Sequence, residues 1–294
     1  MTAGRRAGEP LVGAHMSTAG GFPKAVERAV SAGCRSLQVF TKNSNQWAGK
    51  ALDRVDSAAF RKAAKEASLA PLVSHAAYLI NLASPDGATR KRSLLALVDE
   101  IARCDAAGIP YLVLHPGSHG GDGEETGLDR IARGLKEALG RTPASRTTIL
   151  LEAAAGQGAS LGHTFHQLAQ MRKRVSAKAR IAFCLDTCHV HAAGYDVVSR
   201  DGWKKTLEEA ERMIGLSRIK VIHANDSKKA RGCRVDRHER IGLGTIGEKG
   251  FENLMTEPAF ENVPKILETP KDEAGDYDRA GLAALRRFAG FSAI

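Results

Sequence analysis

The sequence predicts a single-domain α/β protein, a (β/α)8 TIM barrel, and three observations carry that prediction. Eight short apolar runs alternate with helical patterns, so that eight β-α units account for the chain. No linker or low-complexity segment divides it. Six of the runs stop on a histidine or a carboxylate, at His75, His115, Glu152, Asp186, His223 and Glu268. A doubly wound open sheet gathers ligands at only one or two switch points. A barrel brings the carboxyl ends of all its strands to one face, so six such endings favour closure.

Taken in order, residues 1–10 are polar, carry Arg5 and Arg6, and read as a flexible tail ahead of a catalytic domain over 11–294. Leu11 to Met16 is the first strand, and Ala19 to Gly33 a helix with Ala25, Ala29 and Val30 inward and Gly33 at its end. Leu37 to Phe40 is the second strand; the polar loop Thr41 to Trp47 follows it, then a helix near Asp53 to Ala70. After the third strand, ending at His75, a helix near Ala88 to Gly108 places Leu94, Val98 and Ile101 at helical spacing. Tyr111 to His115 is the fourth strand. The glycine-rich loop Pro116 to Gly127 leads into a helix with Leu128, Ile131, Leu135 and Leu139 on one face. Thr148 to Glu152 and Ile181 to Asp186 are strands five and six, separated by a helix. Trp203, Leu207, Ala210 and Ile214 mark the next helix, and Ile219 to His223 and Lys265 to Glu268 complete the eight strands.

Aromatics make up only 5% of the chain, so Ala, Val, Leu and Ile must fill the core. Lys and Arg outnumber Asp and Glu by 43 to 33, an excess that suits a polyanionic partner such as nucleic acid. No apolar run approaches the ~20 residues needed to span a bilayer, and no signal-peptide core follows the tail, which points to a cytoplasmic protein without a membrane partner. Five cysteines, several inside apolar runs, argue against a disulfide framework. The spacing of Cys184 and Cys188 is wrong for the usual zinc pair.

The six strand endings select side chains that bind divalent metals. The segment Asp236-Arg237-His238, if extended, presents a carboxylate and an imidazole to one side, and His189 completes a third ligand group. Nine ligands, five histidines and four carboxylates, are too many for one ion and suit two or three. Mixed N and O donors favour zinc first, with manganese or iron as alternatives. A net positive cluster of this kind suits phosphodiester hydrolysis, because it activates water, relieves phosphoryl charge and stabilises the departing alkoxide. Blander roles fit the other candidates: His15 as a pocket residue, His119, His163 and His166 as loop or surface histidines, and Asp226 as a loop-holding carboxylate.

The chain resembles the endonuclease IV family of apurinic/apyrimidinic (AP) endonucleases along essentially its full length after the tail. The matching segments include Gly13-Ala14-His15, Phe40-Thr41-Lys42-Asn43, His115-Pro116-Gly117-Ser118-His119, Asp186-Thr187-Cys188-His189, Asn225-Asp226-Ser227-Lys228, Arg234-Val235-Asp236-Arg237-His238 and Leu267-Glu268-Thr269. The resemblance implies a DNA-repair enzyme of base excision repair that cuts duplex DNA 5′ to an abasic site, leaving a 3′-hydroxyl and a 5′-deoxyribose phosphate. It implies three zinc ions per chain: His75, His115 and Glu152 at the first, Glu152 bridging to a second completed by Asp186, His223 and Glu268, and His189, Asp236 and His238 at the third. Glu152, Asp186 and Glu268 are then the catalytic carboxylates, and a hydroxide between the first two ions attacks phosphorus. Asn45, Gln46, Tyr78 and Leu79 would meet the DNA, the last two as a wedge. The sequence shows no obvious extra apolar surface, so a monomer is the expected state, nucleoid-associated when on DNA.

Departures from the family pattern are few. Asn45 stands where the family commonly has an arginine, Ala153-Ala154 where Asn-Thr is usual, His191 for an aromatic and Glu239 for a histidine. None is an implied ligand. Two competing functions remain. A metal-dependent sugar isomerase or epimerase would use a related barrel, but the third ligand group and the positive charge argue against it. A non-catalytic DNA-binding protein is disfavoured because nine such side chains in one pocket would repel one another without ions.

Overall fold

The structure, a computed structural model, describes residues 9–50, 52–175 and 180–291. Strands β1 (Val12–His15), β2 (Ser36–Val39), β3 (Leu72–His75), β4 (Tyr111–Leu114), β5 (Thr148–Glu152), β6 (Ile181–Asp186) and β7 (Ile219–His223) follow one another in the sheet. A last barrel strand, β10 (Lys265–Leu267), closes it between β7 and β1, all in parallel register. Helices α1 (Phe22–Ser31), α2 (Arg54–Glu66), α3 (Gly87–Ala107), α4 (Glu124–Arg141), α5 (Phe165–Val175), α7 (Arg200–Met213), α8 (Gly247–Met255) and α9 (Asp276–Phe288) surround it. None of the described helices is long and apolar enough to cross a membrane.

The pleat sorts the strand residues into two sets. Val73, Val113, Leu150, Ala182, Cys184, Val221 and Ile266 pack together inside the barrel, with Tyr111 beneath them. Their neighbours in sequence, such as Leu112, Leu151, Phe183, Ile222 and Leu267, belong to the larger core under the helices. On six strands the residue two places beyond an interior apolar one is a histidine or carboxylate, so the same alternation that fills the barrel stacks a polar layer on top. At the β1–β2 seam the strands come so close that a Cβ at Gly13 would lie 2.1 Å from the Ser36 carbonyl oxygen.

Local signals place the helix ends. Asp53 accepts the Val55 N–H at the start of α2, and Asp86 accepts those of Ala88 and Thr89 at the start of α3. Gly108 ends α3 in the left-handed conformation that glycine adopts without strain. One inward assignment is corrected: Val30 is 53% exposed. The buried stripe of α1 is Phe22, Ala25, Val26 and Ala29, and Val30 lies about a quarter-turn off its centre. Two elements went unanticipated. A short helix, α6 (Thr187–Ala193), begins where β6 stops, and a two-residue antiparallel hairpin, β8 (Asp226–Ser227) with β9 (His238–Glu239), rises after β7. Of the tail expected over residues 1–10, residues 1–8 lie outside the described residues, while Glu9 and Pro10 are buried. Glu9 pairs with Arg35 at 2.7 Å and Arg286 at 3.4 Å.

Candidate metal centre

Glu152 is the hub, fully buried at the top of β5. Its Oε2 lies 3.3 Å from His75 Nε2 and 3.2 Å from His115 Nε2, while Oε1 lies 2.8 Å from His223 Nδ1. One carboxylate thus faces two imidazoles with one oxygen and a third with the other. Glu268, just past β10, sets Oε2 3.1 Å from His223 Nδ1, and Asp186 Oδ2 stands 3.9 Å from the same atom. The third set adjoins these: Asp236 places Oδ2 3.1 Å from His189 Nε2 and Oδ1 3.1 Å from His238 Nε2. Three groups therefore bring their donor atoms within 4.8 Å of one another: His75–His115–Glu152, Glu152–Asp186–His223–Glu268 and His189–Asp236–His238.

The unanticipated elements place the third group. Asp186 caps α6 by accepting the His189 N–H at 2.9 Å, which turns the His189 ring over the barrel mouth. The hairpin pairs Ser227 with His238 and so carries Asp236 and His238 back across it.

Backbone carbonyls fix the tautomers, because a carbonyl can only accept. His75 Nδ1 donates to the Ala76 carbonyl at 2.8 Å, His189 Nδ1 to that of Ala153 at 2.9 Å and His238 Nδ1 to that of Glu268 at 3.1 Å. Each Nε2 is left to turn its lone pair toward the centre, as metal-ligating imidazoles require. The Ala153 carbonyl supports His189 although its side chain departs from the family residue.

Two observations show that divalent ions fit. His189 Nε2 and His238 Nε2 are buried without a hydrogen-bond partner, although Asp236 oxygens lie 3.1 Å away. Two donors that share a tetrahedral zinc at about 2.0–2.1 Å stand about 3.3 Å apart, off any hydrogen-bond line. Secondly, without ions the neighbouring carboxylates raise four of the five histidines, His75, His189, His223 and His238, against the opposing effect of burial, which prevails only at His115. Burial opposes the charge on His238, yet Asp186 and Asp236 push the imidazole up to about 9. Burial likewise opposes charge on Asp236, and His189 and His238 hold its carboxyl far below the usual range. The pocket demands positive charge whoever supplies it.

Two buried amides that sequence reasoning missed hold the ligands. Gln38, on the inner face of β2, accepts from His223 Nε2 at 2.8 Å and donates to Glu268 Oε1 at 2.6 Å. Asn225 donates to Asp186 Oδ2 at 2.7 Å and accepts the Glu268 N–H at 2.8 Å. The available signal for Gln38 was a long polar side chain on a fully buried strand, two residues on from Ser36 on the same face. The sulfurs of Cys184 and Cys188 also approach the ligands within 4.8 Å. Burial pushes the Cys184 thiol up to about 12 and Cys188 also above its ordinary value, so both stay protonated without ions.

The other candidates fall around this centre. Tyr78 is 58% exposed, its ring centroid 5.5 Å from that of His75 and 6.2 Å from that of His115. Asn45 and Gln46 are exposed and Leu79 half-buried on neighbouring loops, which the Tyr78 N–H joins by donating to the Ser44 carbonyl at 3.1 Å. His15 packs at a tilt against Phe40, ring centroids 4.4 Å apart, and sits 3.3 Å from Glu268 Oε1. A cavity of about 1070 Å³ opens beside Glu268, with His15, Phe40, Lys42 and Tyr78 in its wall. His119 accepts two glycine N–H groups of its own loop, and Asp226 accepts those of Ser227, Gly242, Gly244, Ile246 and Gly247. Both are loop organisers.

The chain is similar to known proteins along most of its length. A family model described as a xylose isomerase-like TIM barrel matches residues 26–288. The chain is 48% identical to "Probable endonuclease 4" of Geobacter sulfurreducens, over 94% of its own length and 93% of the relative's. It is 45% identical to the same-named protein of Chloroflexus aurantiacus strain J-10-fl, over 94% and 97%. Among solved structures, endonuclease IV from Thermus thermophilus superposes with a TM-score of 0.85 at 34% identity, over 96% of this chain and 99% of that one. A D-tagatose 3-epimerase-like protein superposes at 0.70 with 17% identity, over 95% and 98%, a likeness of fold alone.

Proposed function

Because the chain belongs to the endonuclease IV family, we propose that it hydrolyses duplex DNA on the 5′ side of abasic sites, leaving a 3′-hydroxyl and a 5′-deoxyribose phosphate. The observation that carries the proposal is the pair of oxygens of Glu152, one facing His75 and His115 and the other His223, with the His189–Asp236–His238 group alongside. His75, His115 and Glu152 would hold the first of three zinc ions, Glu152, Asp186, His223 and Glu268 the second, and His189, Asp236 and His238 the third. Bound ions of this kind supply an activated water at neutral pH, charge relief on the phosphoryl oxygens and stabilisation of the leaving oxygen. Four carboxylates against three divalent ions leave the centre positive, which favours a phosphodiester over a neutral sugar.

The chain's own residues do the rest. Glu152, Asp186 and Glu268 set the spacing of the centre, while Gln38 holds Glu268 and Asn225 holds Asp186 and Glu268 in place. Tyr78 and Leu79 stand at the rim, where a wedge into the base stack would act, and Asn45 and Gln46 lie on the adjoining loop. Lys228, Lys229, Arg234 and Arg237 are exposed on the hairpin loop that carries Asp236, in position for backbone phosphates. A cytoplasmic monomer acting on damaged DNA in base excision repair is the matching cellular role. The sugar isomerase or epimerase reading has the shared fold in its favour, but it leaves His189, Asp236 and His238 without a task.

The test is incision of a duplex carrying one abasic analogue, with and without chelator, alongside metal counting. Chelator-sensitive cutting on the 5′ side with about three zinc ions per chain is expected; full metal loading without cutting would overturn the reading. Glu152→Gln removes the bridging charge and should lower turnover by about 10³-fold or more while abasic duplex still binds. Unchanged turnover in that variant would deny Glu152 its role.

A further inference from the structure

The two loops that would meet the DNA share a foundation. Loop 41–50, which carries Asn45 and Gln46, leaves β2 and returns toward α2; segment 77–81, which carries Tyr78 and Leu79, follows β3. Both lie on one face of α3. Arg103, buried on α3, reaches both ends of the first loop, donating from Nη1 to the Thr41 carbonyl at 3.3 Å and from Nη2 to the Lys50 carbonyl at 2.7 Å. Its Nε donates to Asp99 at 2.8 Å, and Asp99 also holds Lys42 at 2.9 Å. The loop closes so tightly here that a Cβ on Gly49 would lie 2.8 Å from Lys42 Cβ and 3.0 Å from Arg103 Nη2.

The second segment is held at both ends by the same helix. Glu100 accepts the Ala77 N–H at 3.2 Å, and the Ser93 hydroxyl accepts the Asn81 N–H at 2.9 Å. Glu100 also accepts the Thr41 hydroxyl at 2.7 Å, so one buried carboxylate touches both loops. Arg92 covers Trp47, its guanidinium carbon 5.0 Å from the ring centroid, and the Tyr78–Ser44 backbone bond joins the tips. None of Ser93, Asp99, Glu100 and Arg103 is among the nine grouped metal-ligating side chains.

We propose that α3 is a mount that holds the two loops as one preformed body, with Arg103 and Glu100 as positioning residues for lesion recognition and no part in the chemical step. The lesion-probing role of the loops rests on the function proposed above. A loop already in its bound shape loses less conformational freedom on binding, so the mount contributes to affinity where the loops engage. Abasic duplex, which they enter, gains from it; intact duplex, which exposed lysines and arginines meet at the backbone, does not.

Arg103→Lys keeps the charge but loses the planar fork that joins Asp99 to two carbonyls at once. Amide exchange in the zinc-loaded protein without DNA should then quicken across residues 41–50 while the barrel strands keep their protection. Glu100→Gln should quicken segment 77–81 as well. Unchanged exchange in both variants overturns the mount. In the second arm, Arg103→Lys should bind a duplex with an abasic analogue about tenfold more weakly, bind intact duplex as before, and keep its zinc content and its single-turnover rate at saturating DNA. Equal weakening for both duplexes, or a loss confined to the saturated rate, overturns the recognition role. If the unaltered protein neither cuts nor prefers abasic duplex, the proposed function fails, and the exchange arm still decides whether α3 holds the loops.

Discussion

Gln38 shows how much one neutral side chain can fix. Its amide oxygen accepts a hydrogen bond from His223 Nε2 and its amide nitrogen donates to Glu268, so two candidate ligands of different chemistry are oriented by one group. Such outer partners are typically worth about 10–100-fold in metal affinity. Gln38→Leu should therefore release one ion per chain to a competing chelator about 10–100-fold more readily, with secondary structure unchanged. Equal retention by the two proteins would show that Glu268 and His223 orient themselves. Six of the candidate ligands were legible because six apolar strands all end on an imidazole or a carboxylate, and Asp236 and His238 because residues two apart in an extended segment face one way. Gln38 and Asn225 were not, since an amide beside a strand looks like any polar residue until its two partners are seen.

At the scale of elements, strands were read more faithfully than the connections at their carboxyl ends. The pleat gives strands a two-residue rhythm that the sequence displays directly, whereas α6 depends on Asp186 capping it and β8–β9 on two residues each way. β10 carries a cost of its own. Lys265, next to the interior Ile266, is buried on the helix side of the barrel and donates to the Phe260 carbonyl. Burial pulls its ammonium down to about 8, with Glu261 only partly opposing. Below about 8 both folded and unfolded chains hold the proton, and the folded state bears the whole penalty. Between there and the ordinary lysine value the unfolded chain holds more protons, so stability rises with pH. Lys265→Met should remove that rise, on the order of 3 kcal/mol across the window at about 1.4 kcal/mol per pKa unit. Denaturant midpoints of both proteins at pH 7.5 and 10.5 measure it, and parallel slopes would contradict it.

For the whole molecule, closure of the barrel does what no single element can: it sets residues from 75 to 268 within one cluster of donor atoms. Binding free energy at such a site is also folding free energy. Chelation should lower Tm by about 10 °C, taking on the order of 4 kcal/mol for tight ions and a few degrees per kcal/mol in a chain of this size. Added zinc should restore it, and identical melting with and without chelator would mean that the carboxylates and protonated histidines suffice. Closure itself was legible from the endings, because only a closed sheet gives six of them one destination.

Seven of the nine donors ride on the strands, on the residue just past one, or on the helix at the end of β6, while Asp236 and His238 arrive on an excursion of the chain between β7 and α8. The third ligand group is thus detachable in principle. A chain in which that excursion was shortened to a plain turn would keep the first two groups and their shared glutamate. On the function proposed above, such a barrel would hold two ions and open its mouth to a different substrate.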